Sequence, residues 1–273
     1  MPHDYTSLQP RGEKTYNGGM PVNLMEHVQE GGRVQRDGES AWHLEIPEGN
    51  AGRYRLAQLD DYTGLVRSAF PWIAPLKLRL TARASSRAIP GTWGFGLWND
   101  PFGTVFLRGS NLVFPAFPNA AWFFFASPNN YLSLCDDLPA NGQLVATFQS
   151  PSKMPVGFLL KSPLYSLAFY RPIARKLRRW LRQYIRQDAG RMDFDPTYWH
   201  EYQIEWRLDR VVFMLQGQVL LETEIAPRGP LGLVIWVDNQ YAGWFPDGRI
   251  GFGTLPNGDV SWLQIKQLDL TPA

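Results

Sequence analysis

Period-two alternation dominates this chain and restricts what it can fold into. In LKLRLTARAS, Leu76, Leu78, Leu80 and Ala82 fall on one side of an extended segment, and Lys77, Arg79, Thr81 and Arg83 on the other. That is a half-buried strand with one wet side. RVQRDGESAWHLEI reads as a hairpin turning at Asp37-Gly38, residue types that tolerate the positive φ of a tight turn. The alternation continues in GRYRLAQLDDY, GQLVATFQ, HEYQIEWRL, RVVFMLQGQVLLETEI, LGLVIWVD, RIGFG and VSWLQIKQLDL. GTWGFGLWND and AWFFFAS are apolar on both sides, so they are central strands or strands whose second face lines a groove. Gly94 and Gly96, set between aromatics, permit close approach of a ligand or another backbone. About a dozen strands, few of them separated by helix-length segments, exclude a parallel doubly wound sheet and predict two packed antiparallel sheets.

Composition agrees. The 22 Pro and 25 Gly suit short strands joined by tight turns, and 11 Trp, 11 Tyr and 16 Phe supply a large core for one domain of 273 residues. The expected organisation is a polar arm over residues 1–30 and a single sandwich domain over 31–271. A formal charge of +2 calls for neither nucleic acid nor a strongly anionic partner. The single cysteine, Cys135, excludes an internal disulfide and a cysteine-rich metal site. No stretch approaches the roughly 18 apolar residues of a membrane span, and the first residues lack the apolar core of a signal peptide, so a cytoplasmic location is expected.

One segment breaks the alternation. From Pro172 to Gln187, apolar side chains recur at Ile173, Leu177, Trp180, Leu181, Tyr184 and Ile185, the stripe of an amphipathic helix. Pro172 fits an early helical position and Ala189-Gly190 a stop, which predicts an inserted helix over 172–187 within an insertion spanning 165–190. Between Arg171 and Asp188 there are seven basic residues and one acid; the rest of the chain carries 20 basic and 24 acidic residues. Arg175, Arg178, Arg179, Arg182 and Arg186 are therefore candidates for a surface facing an anionic membrane or a protein partner. The alternative is a helix that buries its apolar stripe on the sandwich and shows its arginines to water.

YWHEYQIEWRLDRVVFMLQGQVLLE, from Tyr198 to Glu222, resembles a segment of family 16 glycoside hydrolases and related concanavalin A-like proteins. In that family an aromatic strand precedes a hairpin closed by a D-G turn, here Gln216-Gly217. GDVSWLQIKQLDL is similar to the family's closing strand, and LRLTARAS with GTWGFGLWND to a strand pair with a rim tryptophan. The resemblance implies a concanavalin A-like jelly roll in which one concave sheet face is the ligand platform. It also implies a strand bearing E-x-D-x-E, because retaining hydrolysis needs two carboxyl groups roughly 5 Å apart. This chain has no glutamate between Glu48 and Glu201, so the expectation is a protein without the family's hydrolytic acids.

Other acids offer little replacement. Glu222 and Glu224 share a strand side but read as a solvated edge. Asp60-Asp61 and Asp136-Asp137 sit in turn-like settings where Asp satisfies backbone N–H groups. If the chain is an enzyme, Asp100 and Asp238 are the relocated acids to test. His3, His27, His43 and His200 lack metal-ligand spacing, and no cofactor or metal is expected. Ligand binding is better represented. GTWGFGLWNDPFG presents Trp93, Trp98, Asn99 and Asp100, and VIWVDNQYAGW presents Trp236, Asp238, Asn239, Gln240 and Trp244. Aromatic faces beside fixed amides and carboxylates suit a carbohydrate or similar polar ligand. Against this, the tryptophans also read as core and the Asn and Asp residues as turn formers.

Overall fold

A computed structural model describes residues 22–38, 40–102, 116–151 and 170–273. Among the described residues, sixteen strands, numbered in chain order, build two seven-stranded antiparallel sheets and one small hairpin. The first sheet runs β1 (Met25–Gln29), β4 (Leu56–Asp60), β13 (Gly232–Asp238), β6 (Thr92–Trp98), β7 (Ala120–Ala126), β8 (Gly142–Gln149) and β9 (Arg186–Arg191). The second runs β12 (Gln218–Thr223), β11 (Val211–Leu215), β10 (His200–Trp206), β5 (Leu76–Ala84), β16 (Ser261–Pro272), β3 (Ala41–Ile46) and β2 (Arg33–Arg36). The extra hairpin is β14 (Gln240–Trp244) with β15 (Ile250–Thr254). Among the described residues one α-helix, α1 (Arg171–Leu181), lies between β8 and β9.

The expected jelly-roll sandwich is thus the observed architecture. Between the sheets, β5 contributes Leu76, Leu78, Leu80, Ala82 and Ala84, and β10 contributes Tyr202, Ile204 and Trp206, the alternate positions of each strand. From the first sheet come Leu59, Phe95, Phe123, Phe125, Leu233 and Ile235. The Gln216-Gly217 turn has φ of 49° and 77°, the left-handed pair that a two-residue hairpin requires. Met25–Gln29, assigned by its polarity to the arm, is instead the edge strand β1, paired to β4 from Met25↔Asp60 to Gln29↔Leu56.

The helix differs from expectation in length and orientation. It ends at Leu181, and Arg186–Arg191 pairs with β8 from Gln149↔Arg186 to Leu144↔Arg191. Ala189 and Gly190 are therefore strand residues rather than a helix stop. The ladder with β8 supplies backbone hydrogen bonds that outweigh the weak strand propensity of RQDAGR. Residues 165–169 of the expected insertion lie outside the described residues.

Candidate functional site

The first sheet has a second apolar face, turned away from the sandwich core. Alternation brings Leu56, Gln58 and Asp60 from β4, Val234, Trp236 and Asp238 from β13, and Thr92, Gly94, Gly96 and Trp98 from β6 to this outer face. From β7 come Ala120, Trp122, Phe124 and Ala126. Trp98 and Trp236 lie parallel, with ring centroids 6.4 Å apart and planes at 3°. Trp122 tilts against both, at 5.8 and 6.1 Å, and Phe124 sits 5.1 Å from Trp236. The two glycines of β6 make this row fit. A Cβ on Gly94 would come 2.9 Å from Cη2 of Trp236, and one on Gly96 would come 2.6 Å from Cα of Trp122. The close approach anticipated at these glycines is made first by the β7 backbone, with Phe123 O against a Gly94 Cβ and Ala121 O against a Gly96 Cβ, and then by the tryptophans. Gly94→Ala is expected to cost about 2 kcal/mol by pressing on the Phe123 carbonyl of β7 and displacing Trp236, read in urea denaturation with a shift of tryptophan emission.

Asp238 closes one end of the row. Its Oδ1 accepts from the Thr92 hydroxyl (2.8 Å) and from the backbone N–H groups of Thr92 (3.1 Å) and Gln240 (3.2 Å), and Oδ2 accepts from the Tyr54 hydroxyl (3.3 Å). Trp236 donates its indole N–H to the same Thr92 hydroxyl at 2.9 Å. Burial pushes the Asp238 carboxyl up to about 7, against the pull of the hydrogen bonds from Thr92, Gln240 and Tyr54. Burial, then the charge of Asp238, raises Tyr54 in turn.

At the opposite end lies a polar cluster around Asp60 and Asp61, which satisfy backbone N–H groups as expected and also gather side-chain partners that the sequence did not reveal. Asp60 accepts from Gln58 (2.9 Å), from the backbone and hydroxyl of Thr63 (2.9 and 3.2 Å) and from Tyr62 N (3.2 Å), with His27 Nε2 at 3.1 Å from Oδ2. Burial raises this carboxyl, but the bonds to His27, Gln58 and Thr63 outweigh it and hold it below the ordinary range. A signal was present: LAQLD, buried along its whole length, places Gln58 and Asp60 at outer-face positions. Next to it, Asp61 accepts from the Trp72 indole (2.5 Å) and Leu233 N (2.8 Å), and burial lifts it to about 7. Asp60 lies opposite Val234 in the ladder, so Asp238 is four residues away along β13, roughly 13 Å. That exceeds the carboxyl separation of either retaining or inverting hydrolysis.

Several expected ligand residues do other work. Trp93 alternates to the core side, stacked on Phe125 at 3.5 Å and 7°, and is no part of the outer face. Asn99 donates to Phe117 O (2.9 Å) and accepts from Asn119 N (2.9 Å). Asn239 accepts from Arg55 N (2.8 Å) and donates to Arg53 O (3.0 Å) and Leu255 O (2.8 Å). Both amides are buried loop clamps, with oxygen and nitrogen engaged. Asp100 has φ of 46° in a turn pinned by Arg67, whose Nε donates to Asn99 O at 2.7 Å and Nη2 to Asp100 O at 2.5 Å. Gln240 and Trp244 are half-buried on the β14–β15 hairpin, and the buried Trp244 indole N–H meets no acceptor among the described residues. Glu222 pairs with Arg210 at 2.8 Å on edge strand β12, far from the aromatic row. Burial raises the Cys135 thiol, which leaves it a poor nucleophile.

The basic helix covers part of the outer face. Leu177, Leu181 and Ile185 pack into the aromatic cluster. Arg178, expected on the outward surface, is 2% exposed. Its guanidinium donates to Ser133 O (2.8 Å) and Trp244 O (3.1 Å) and pairs with Asp136. Arg186, expected on the same helix, lies on β9 and donates to Gln149 Oε1 at 3.0 Å. Among the described residues, no three His, Cys, Asp or Glu side chains are grouped to hold a metal ion, and no helix is long and apolar enough to cross a membrane.

No family model matches the chain, and the search of curated proteins returned no match. Solved structures resemble it in architecture. A family 16 glycoside hydrolase from the mixed linkage glucan locus of Bacteroides ovatus is 8% identical, with 91% of this chain and 94% of that one covered at a TM-score of 0.47. A legume lectin-like domain from Entamoeba histolytica is 9% identical over 91% and 90%, at 0.45. The catalytic domain of a Thermotoga petrophila endo-1,3-beta-glucanase is 12% identical over 84% and 79%, at 0.41. These proteins are what the sandwich is similar to in fold.

Proposed function

We propose that the protein binds a carbohydrate or similar polar ligand at the open edge of the aromatic row, without cleaving it. The observation that carries this reading is the pairing of flat indole faces with fixed polar groups on one sheet face. Trp98 and Trp236 are parallel, with Thr92, Asp238 and Tyr54 at one end and Gln58, Asp60 and His27 at the other. An apolar ring face packs on an indole while its hydroxyls meet preset donors and acceptors. Trp236 is 7% exposed, so the first contact falls to the half-buried Trp98, with the neighbouring aromatics as its support.

The reading of binding without hydrolysis is supported by where the acids of the described residues stand. The outer-face positions of β7 are Ala120, Trp122, Phe124 and Ala126, apolar at every alternate site. The two outer-face aspartates lie at opposite ends of β13. Titration with an oligosaccharide panel, β-glucans included, is expected to give saturable quenching of tryptophan fluorescence without new reducing ends. Trp98→Ala is expected to weaken binding about tenfold or more, the loss of one stacked ring. A flat response of the wild type across the panel overturns the carbohydrate reading. Release of reducing ends that Asp238→Asn abolishes would instead make this an enzyme.

A further inference from the structure

We propose that the outward face of α1 is a docking surface for an anionic lipid bilayer. The argument begins with an exchange of inside and outside. A helix that merely covers a sandwich turns its apolar residues inward and its arginines to water. Here Arg178 is inside, while Ile173, Trp180 and Tyr184 are each 37% exposed and Tyr170, just before the helix, is 63% exposed. The inward face is complete without them, formed by Ala174, Leu177, Arg178 and Leu181. The Trp180 and Tyr184 rings lean on each other at 4.9 Å, outside the cluster that holds the helix down.

Basic side chains surround this exposed apolar patch. At 100° per residue, Arg175, Arg179, Lys176, Trp180 and Ile173 follow one another around the outward half of the helix. Arg182 leans on Asp136 and Asp137 at 4.0 and 3.9 Å, whereas Arg175, Lys176 and Arg179 make no ion pair with a carboxylate among the described residues. Three uncompensated cations beside a Trp-Tyr-Ile surface match phosphate headgroups above an apolar layer. The aromatic rings enter the interface while the long basic stems keep their charge at headgroup level. Arg178 gives the surface its rigidity: tied to Ser133, Trp244 and Asp136, the helix cannot roll to hide Trp180. The rest of the chain is net acidic, so its overall charge adds no attraction to an anionic surface.

The test is co-sedimentation of the full chain with phosphatidylcholine vesicles, with and without about one third phosphatidylserine. Binding only to the anionic vesicles is expected, lost on raising salt from about 0.05 to 0.5 M, with a blue shift of tryptophan emission. The triple charge reversal Arg175→Glu, Lys176→Glu, Arg179→Glu is expected to weaken partitioning more than about 100-fold. Trp180→Ala is expected to weaken it and remove the blue shift while leaving salt dependence in place. Both variants change exposed side chains, and an unchanged thermal midpoint verifies their fold. Absent binding, equal binding to neutral vesicles, or wild-type binding by the charge-reversed chain overturns the proposal. So does a concentration-dependent dimer abolished by Trp180→Ala, which would make a second copy the occupant. Failure of the oligosaccharide titration leaves this test untouched, because the two surfaces share no exposed residue.

Discussion

Replacing Arg178 by Ala is expected to destabilise the protein by about 3 kcal/mol, measured by urea denaturation, because the guanidinium is buried and multiply bonded. Its removal leaves Ser133 O and Trp244 O without this donor and Asp136 with only the looser contact to Arg182 at 4.0 Å. The damage is expected at the junction of α1, the 133–136 turn and the β14–β15 hairpin, with Trp244 and Tyr131 as local reporters. Tyr131 lies under the guanidinium, 5.5 Å from its ring centroid. Lysine is expected to restore little, because one ammonium cannot span three acceptors set around a planar fork. Asp136→Asn is expected to cost less than half as much, since Asp136 is half exposed and water replaces it. Equal losses for the two would mean that the ion pair, not the carbonyl contacts, holds the helix.

Stability is expected to rise as pH falls from about 8 towards 5, the reverse of ordinary acid behaviour. Asp238 and Asp61 are both lifted by burial to about 7 from an ordinary 3.8. The folded state therefore holds these protons more tightly than the unfolded chain. Their stabilisation is full below the unfolded value and is lost as pH rises through about 7, at up to about 1.4 kcal/mol per pH unit for each group. Asp60 works in the opposite sense, but its lowered value confines that loss to pH below the ordinary carboxylate range. Chemical denaturation at half-unit steps from about pH 5 to 8.5 reads the slope.

Asp238→Asn isolates one of the two contributions. Three donors converge on Oδ1, and only the Tyr54 hydroxyl meets Oδ2, so an amide with its nitrogen at Oδ2 copies the protonated acid. The variant is expected to exceed wild type already at pH 5, by a margin that widens up to about pH 7 and then stays level, and to show about half the slope. Asp61→Asn is expected to behave otherwise, losing about 1–3 kcal/mol at pH 5, a deficit that narrows as pH rises because the variant also lacks the Asp61 titration. Both Asp61 oxygens accept from N–H donors, Trp72 and Leu233, and an amide nitrogen would face one of them. A flat stability profile in the wild type would show that both carboxyls ionise at their ordinary values.

These residues show how differently fold and site are written into the chain. LKLRLTARA and HEYQIEW carried their faces openly, because a strand with one wet side must alternate. The Gln216-Gly217 turn was equally legible, since few residue pairs accept two positive φ angles. Strands apolar on both sides lacked that label: nothing local in TWGFGLW says that Trp93 turns to the core and Trp98 to the outer face.

The sequence by itself determined the sandwich, the approximate place of its strands, the inserted helix and the lack of any glutamate between Glu48 and Glu201. Only the tertiary structure decided which tryptophans share a face, that Asn99 and Asn239 clamp loops, that His27 meets Asp60 across β1 and β4, and that Arg178 points inward. The physical reason is range. Alternation and turn chemistry are set by neighbours a few residues apart, so a short window reveals them. The acceptors of Arg178 come from Ser133, Asp136 and Trp244, which are 45, 42 and 66 residues away in the chain. A helical wheel knows nothing of them. A buried charge with its partners assembled reverses the polarity that periodicity alone assigns to a helix face.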